Sequence, residues 1–129
     1  MTLEGAIHAR WEADSPLSTA LPVERLFTGE ARGNPELPYA VLQRGDEKTL
    51  ARTNAGARVE EVAFAFHVWT SDIEAGKSIA AAIERVFDQA SFTFDGGAVL
   101  DMRRTGAKEE SQADGTWLFA CEYSALVKY

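Results

Sequence analysis

Hydrophobic and polar residues alternate with a period of two from residue 59 to residue 70, which is the pattern of a β-strand. One face of this strand is fully apolar, and the other is small and apolar with a polar tip. We therefore expect both faces to be covered and the strand to lie inside a sheet. Twelve residues would span about 40 Å. The first face consists of Val62, Phe64, Phe66 and Val68, and the second of Ala63, Ala65, His67 and Trp69.

Apolar residues at spacings of three and four predict an N-terminal helix over residues 2–14. Thr2 is a suitable N-cap, because its hydroxyl can accept a hydrogen bond from an N–H group of the first turn. Ser15 can cap a short second helix, with Pro16 at the first helical position. We therefore expect two helical segments before the first strand.

A longer helix is predicted directly after the central strand, over about residues 72–89. Ser71 and Glu74 have the spacing of a capping box, in which each side chain bonds the other's backbone N–H. Gly76 lies on the apolar stripe of this helix, which indicates close packing there. A helix so near the central strand is expected to fold back over one face of the sheet.

Further strands are predicted on both sides of the central one. Residues 39–70 together predict a long antiparallel hairpin, with a bulge or kink at residues 45–47 and a polar, projecting tip at residues 46–58. The charged run at residues 105–115 predicts a mobile loop. The remaining strand candidates are residues 25–28, 91–94, 98–102 and 116–128.

The order of these elements predicts an α+β fold in a single domain over residues 1–129. We expect a mainly antiparallel sheet of four to six strands. The N-terminal helix and the second main helix, at about residues 72–89, would pack on one face of it.

Composition and charge exclude some classes of protein. A single cysteine, Cys121, excludes an internal disulfide and a cysteine zinc cluster. No stretch approaches ~18 apolar residues, so no membrane span is expected. The N-terminus lacks the basic-then-apolar pattern of a signal peptide, which favours a cytoplasmic protein. The net charge of −7 argues against general nucleic-acid affinity, which requires a basic face.

No arrangement of residues predicts a catalytic, metal or cofactor-binding site. Residues 76–78 (Gly-Lys-Ser) are similar to the end of a phosphate loop, but such a loop requires glycine where this chain has Ser71. His8 and His67 lack other ligands at metal-binding spacing. Cys121 shares the apolar face of the last strand, so we expect a buried and unreactive thiol.

Trp69 points to a role in assembly. It lies on the second face of the central strand, away from the expected helices, and aromatic side chains often anchor protein–protein interfaces. We expect another copy of the chain to cover this face and the projecting tip to reach a neighbour, while Arg103 and Arg104 form a modest basic spot. The candidate interface residues are Tyr39, Lys48, Leu50, Arg52, Ala63, Ala65, His67, Trp69, Arg103 and Arg104.

Several short segments resemble one known family in their order and spacing. They are Val-Glu-Arg-Leu-Phe at 23–27, Leu-Pro-Tyr-Ala-Val-Leu-Gln at 37–43 and Phe-His-Val-Trp-Thr at 66–70, followed by an alanine-rich helix and a closing strand with a Tyr/Val/Lys pattern. The chain resembles the small tail-completion proteins of long-tailed bacteriophages. These include tail terminator and tail-to-head joining proteins, with relatives in prophages and gene-transfer agents.

The resemblance implies a non-enzymatic structural subunit of the virion tail, assembled in the cytoplasm of the bacterial host and needing no cofactor. Such a subunit forms a ring, typically of six copies, that caps the completed tail tube and docks it to the head. Its partners would be other copies of itself, the tail-tube protein and the head–tail connector protein. The acidic balance would suit a ring through which DNA passes without specific binding.

Two other interpretations of the sequence remain open. One is a small-ligand-binding or enzymatic α+β domain, whose pocket between sheet and helices would be lined by Tyr39, His67 and Trp69. The other is an adaptor in a toxin-delivery or secretion apparatus built on the same tube architecture.

Overall fold

The computed structural model describes residues 2–129, and it contains three α-helices, a short 3₁₀ turn (Val23–Arg25) and six strands within that range. The helices are α1 (Leu3–Ala13), α2 (Ser15–Ala20) and α3 (Ile73–Phe87). The strands are β1 (Leu26–Thr28), β2 (Tyr39–Arg52), β3 (Arg58–Thr70), β4 (Ala90–Phe94), β5 (Gly97–Ser111) and β6 (Trp117–Lys128).

The six strands form one curled, mixed sheet in the order β1-β2-β3-β6-β5-β4. Four of the five strand pairs are antiparallel, as predicted, but β1 pairs with β2 in parallel from Leu26 opposite Ala40 to Thr28 opposite Leu42. The sheet is therefore not purely antiparallel. A strand of three residues carries too short a pattern to reveal its direction from the sequence.

β3 lies in the middle of the sheet between β2 and β6, which confirms the central position predicted for it. Its apolar face is 0–2% exposed and forms part of the main core. Its second face is only half-buried.

All three helices contribute to the packing on the first face of β3. Trp11 of α1 and Phe87 of α3 both contact Phe66 of β3, with ring centroids 5.7 Å and 5.0 Å away. The indole Nε1 of Trp11 donates a 2.8 Å hydrogen bond to the carbonyl of Leu21, so the one polar atom of this buried ring has a partner. The opposite face of the sheet carries none of the helices in the described chain.

Two helix caps differ by one residue from the prediction: the cap of α2 lies one residue earlier and that of α3 one residue later. Asp14, rather than Ser15, caps α2, and its carboxylate accepts a 3.0 Å hydrogen bond from the N–H of Leu17. Asp72, rather than Ser71, caps α3 and accepts a 3.0 Å hydrogen bond from Glu74. A carboxylate at the cap also interacts favourably with the positive end of the helix dipole, which favours Asp over a neighbouring Ser.

The charged segment at residues 105–115 is a strand over most of its length and not the predicted loop. β5 continues to Ser111 and pairs with β6 as far as Trp117, and residues 112–116 form the connection. Its charged side chains are exposed while the backbone pairs with the neighbouring strand, so polarity alone gave a wrong prediction.

The long strands β2 and β3 pair from Tyr39 opposite Trp69 to Arg52 opposite Arg58. The register shifts between Arg44 and Glu47, which confirms the predicted bulge at residues 45–47. Residues 43–56 are all exposed.

Candidate assembly surface

The sheet presents a largely apolar surface on the side opposite the helices, here called the outer face. Side chains directly opposite one another on paired strands lie on the same side of a sheet. Tyr39 is opposite Trp69, Trp69 is opposite Leu118, and Leu118 is opposite Glu110. The other apolar members of the outer face are Val41, Ala63, Ala65, Ala120 and Leu126, and the polar ones include Gln43, His67, Glu122 and Ser124.

Aromatic side chains form the most prominent feature of this face. Tyr39 and Trp69 are stacked, with ring centroids 6.5 Å apart and planes inclined by 26°, and Phe27 meets Tyr39 edge-on at 6.2 Å. Beside them lies an open groove of about 520 Å³, here called the aromatic groove. Its lining residues are Pro35, Leu37, Tyr39, Trp69, Gln112, Ala113, Asp114 and Thr116.

The loop before β2 forms one wall of the aromatic groove, and Arg25 connects it to the body of the protein. The Arg25 guanidinium donates to the carbonyl oxygens of Glu36 and Pro38, at 3.5 Å and 3.2 Å. It also lies 3.8 Å from the Glu36 carboxylate. The turn between β5 and β6 forms the opposite wall, where Asp114 accepts two hydrogen bonds from Thr116.

The pocket predicted between sheet and helices is not formed by the residues assigned to it. Tyr39, His67 and Trp69 all lie on the outer face, whereas the helices cover the other side. His67 instead borders a separate cavity of about 190 Å³ with Gln43 and Glu122. Alternation along β3 correctly groups His67 with Trp69, and the structure places this face away from the helices, as expected for Trp69.

The three candidates on β2, namely Lys48, Leu50 and Arg52, are exposed near the far end of the β2–β3 pair. Leu50 lies in a second register shift, between Thr49 and Ala51, and is 47% exposed. Few large apolar side chains of the described chain are so open to solvent.

Arg103 and Arg104 do not form the predicted basic spot, because adjacent residues of β5 point to opposite faces. Arg103 forms an ion pair with Asp101, and its strand partner is Ser124 of the outer face. Arg104 lies on the helix side, where its guanidinium donates to Glu84 at 3.2 Å. Both positive charges are therefore compensated within the subunit.

Leu118 and Leu126 belong to the outer face but are absent from the predicted interface residues. They alternate in phase with Glu122 and Ser124 on β6, so that strand appears polar on this face when only those two residues are considered. The signal that could have identified them is the register with β3, which pairs Leu118 with Trp69 and is available only once the strands are aligned.

The described part of the chain shows no group of three or more His, Cys, Asp or Glu residues arranged to hold a metal ion. Cys121 is buried, as predicted, and burial raises the pKa of its thiol to about 11, so the nucleophilic thiolate is scarce at neutral pH. Burial likewise raises the pKa of Tyr123 on the same strand. Among residues 2–129, no helix is long and apolar enough to cross a membrane.

Comparison with known proteins agrees with an assembly role. The family model described as tail completion protein gp17 matches residues 5–128, so the chain belongs to the tail completion gp17 family. The predicted relation to tail-completion proteins is confirmed. The family is a structural one, and the protein is accordingly a structural tail protein.

A solved structure provides a match for the fold. It is a chain from the virion of a native gene transfer agent particle, with a TM-score of 0.80 and 18% sequence identity. The alignment covers 98% of this chain and 95% of that chain. At this identity the likeness concerns the fold. No curated protein matches the sequence.

Proposed function

We propose that the protein is a tail terminator or head–tail joining subunit that oligomerises into a ring, of six copies, at the end of the tail tube. The observation that carries the proposal is the outer face, a half-buried apolar surface centred on the Tyr39–Trp69 stack. Contiguous apolar surfaces of this kind mark interaction sites in soluble proteins. Membership in the tail completion family supports a site in a virion tail, with the tail-tube protein and the head–tail connector protein as neighbours.

Ring formation requires two different patches that fit each other on neighbouring copies. The outer face supplies one such patch. The exposed end of the β2–β3 pair, residues 46–58, supplies the other as a protruding hairpin. In a closed ring each subunit uses both surfaces, one toward each of its two neighbours.

The charge distribution supports a ring through which DNA passes without specific binding. The net charge is −7, and most arginines are held by carboxylates of the same chain. These pairs include Arg44 with Glu4 and Glu47, Arg58 with Glu60, Arg85 with Asp14, Arg103 with Asp101 and Arg104 with Glu84. These ion pairs reduce the positive charge available to phosphates.

Tail tubes assembled in the absence of this protein provide the test. Adding the purified chain should place rings on one end of the tubes, visible by negative-stain electron microscopy, and should enable the tubes to join to filled heads. Trp69→Ala should reduce the fraction of capped tubes, whereas Glu12→Ala, an exposed change on α1, should not. Tubes that join to heads equally well without the protein would contradict the proposal.

A further inference from the structure

The far end of the β2–β3 pair carries three cations over residues 48–58, with Asp46 and Glu47 just before them on β2 and Glu60 and Glu61 just after them on β3. Residues 48–58, here called the basic tip, contain Lys48, Arg52 and Arg58 and no acidic residue. Arg58 is held by Glu60 at 2.8 Å, but Lys48 and Arg52 form no ion pair with any described residue. Leu50 is exposed between them.

The opposite end of the same sheet has the complementary charge. Residues 109–115 contain Glu109, Glu110 and Asp114 and no basic residue. Asp114 lines the aromatic groove, and Glu110 lies on the outer face in the same cross-strand row as Trp69. An apolar groove with acidic residues at its rim therefore lies at the opposite end of the sheet from the basic tip.

These two patches cannot meet within one chain. β2 begins at Tyr39 in the groove and ends at Arg52 in the tip, and its 14 residues span about 45 Å. Only another copy of the chain can bring a basic tip to this groove.

We propose that the basic tip of one copy docks into the aromatic groove of the next, with Leu50 against Tyr39 and Trp69, and with Lys48 and Arg52 facing Glu110 and Asp114. The proposal rests on the ring function proposed above and names the two surfaces that join its subunits. The contact is heterologous, so every copy donates one tip and one groove. A groove of about 520 Å³ holds several side chains, and two exposed cations beside an acidic rim fix the orientation of the tip.

Disulfide crosslinking tests this contact on rings assembled at tail-tube ends. A Leu50→Cys, Ala113→Cys double variant should, under mild oxidation, give a ladder of covalently linked chains that extends to the size of the ring. Each single variant has no partner thiol at this contact and should give no ladder, with a dimer as the largest possible product. The matched control is Leu50→Cys with Ala9→Cys, an exposed site on α1, and it should yield no ladder. Native Cys121 is buried and does not compete.

Charge exchange gives a second readout that does not depend on oxidation. Arg52→Glu alone and Glu110→Arg alone should each lower the yield of capped tubes by about tenfold, because like charges then face each other. When Arg52→Glu and Glu110→Arg are combined, the yield of capped tubes should recover to within about threefold of that of the wild type. Lys77→Glu and Glu12→Arg, exposed reversals of the same sign on the helix side, should leave capping unchanged.

The outcomes separate this contact from the function it rests on. Rings that form normally but give no ladder, and that are indifferent to Arg52→Glu, would overturn the docking and leave the ring function standing. Crosslinking of the tip to the tail-tube protein instead of a second copy would overturn it as well. Wild-type protein that never caps a tube would overturn both.

Discussion

Gly76 of α3 packs directly against the ring of Phe119 on β6. A Cβ atom added at residue 76 would lie 2.1 Å from Cε2 of Phe119 and 2.6 Å from Cδ2. Neither atom is the end of a flexible chain, because Phe119 is itself only 2% exposed and held in the core. The close-packing role predicted for this glycine is confirmed.

Gly76→Ala should therefore destabilise the fold even though alanine favours a helix by about 1 kcal/mol over glycine. Overpacking of a filled core costs about 1–3 kcal/mol, and we expect a net loss of up to about 2 kcal/mol in the free energy of unfolding. Urea denaturation at constant m-value measures it. Ser78→Ala, an exposed change two residues along the same helix, should be neutral or slightly stabilising. Equal stability of Gly76→Ala and the wild type would show that the sheet moves to accept the methyl group.

Asp14 links the start of α2 to α3 through its ion pair with Arg85, and this pair should make stability depend on pH. The hydrogen bond from Arg85, together with that from Leu17, lowers the pKa of Asp14. A carboxyl whose pKa is lower in the folded state adds stability above its unfolded pKa of about 3.9, and this stability is lost as the pH falls through the folded value. Asp14→Asn should therefore be less stable than the wild type at pH 7, and the difference should shrink at low pH.

Urea midpoints measured from about pH 7 down to about pH 2.5 would test this dependence. Arg85→Gln should reproduce the effect, because it removes the other partner of the same pair. Glu12→Gln, an exposed neighbour on α1, should show a pH profile parallel to that of the wild type. A constant difference between Asp14→Asn and the wild type at all pH values would contradict the assignment.

The contrast between β3 and β5 shows how far the sequence predicts this fold. β3 was predicted with its correct faces and its central position, because four large apolar residues alternate along it and only a buried strand has that pattern. The second half of β5, up to Ser111, has few apolar residues, since its side chains are exposed and its stability comes from backbone pairing with β6. That pairing leaves no trace in a local pattern of hydrophobicity.

The candidate surface could likewise be predicted only where it depends on alternation within one strand. Trp69 and Ala65 share a face by alternation alone. The proximity of Asp114 to Trp69 depends on the length of β5 and β6, which brings a turn more than 40 residues away in sequence into the same groove. The separation of Arg103 from Arg104 follows from alternation once β5 is known to continue through them.

His8 should make the protein less stable in mild acid. Its Nε2 lies 2.8 Å from the hydroxyl of Thr28, and partial burial lowers the pKa of the imidazole, an effect that Glu4 only partly opposes. Since the folded state favours the neutral ring, stability is complete above the unfolded pKa of about 6.5 and is lost as the pH falls through the lower folded pKa. His8→Gln should remove this acid-side loss.

Thermal unfolding between about pH 7.5 and pH 5 would measure the slope. Thr28→Ala is the matched control, because it removes the hydrogen-bond partner but leaves the titrating ring. It should lower stability while retaining a loss toward acid. An unchanged slope in His8→Gln would assign the acid sensitivity to another group.

Cys121 should react with thiol reagents only when the protein opens. The thiol is 6% exposed, and burial raises its pKa to about 11, so both access and the thiolate fraction are low at pH 8. Labelling by a chromogenic disulfide should be at least about a hundredfold slower in the native protein than in urea. In Leu50→Cys the added thiol should react at once and Cys121 slowly. Rapid labelling of both thiols would indicate that α3 separates from β6 in the native state.

Replacing Trp11 by Phe should mainly lower the stability of the fold, whereas replacing Trp69 by Phe should mainly lower tube capping. Trp11 is fully buried, and its Nε1 donates to the Leu21 carbonyl at 2.8 Å, so Trp11→Phe leaves a cavity and a buried carbonyl without its donor. We expect a loss of about 2–4 kcal/mol in the free energy of unfolding, measured by urea denaturation.

Trp69→Phe retains an aromatic ring at a half-buried site and should cost less than about 1 kcal/mol in the isolated subunit. If Trp69 anchors a neighbouring copy, Trp69→Phe should nevertheless lower tube capping, while Trp11→Phe should cap normally at temperatures where it is folded. If the two variants had equal effects on stability and on tube capping, the division of the sheet into a core face and an outer face that contacts other copies would be contradicted.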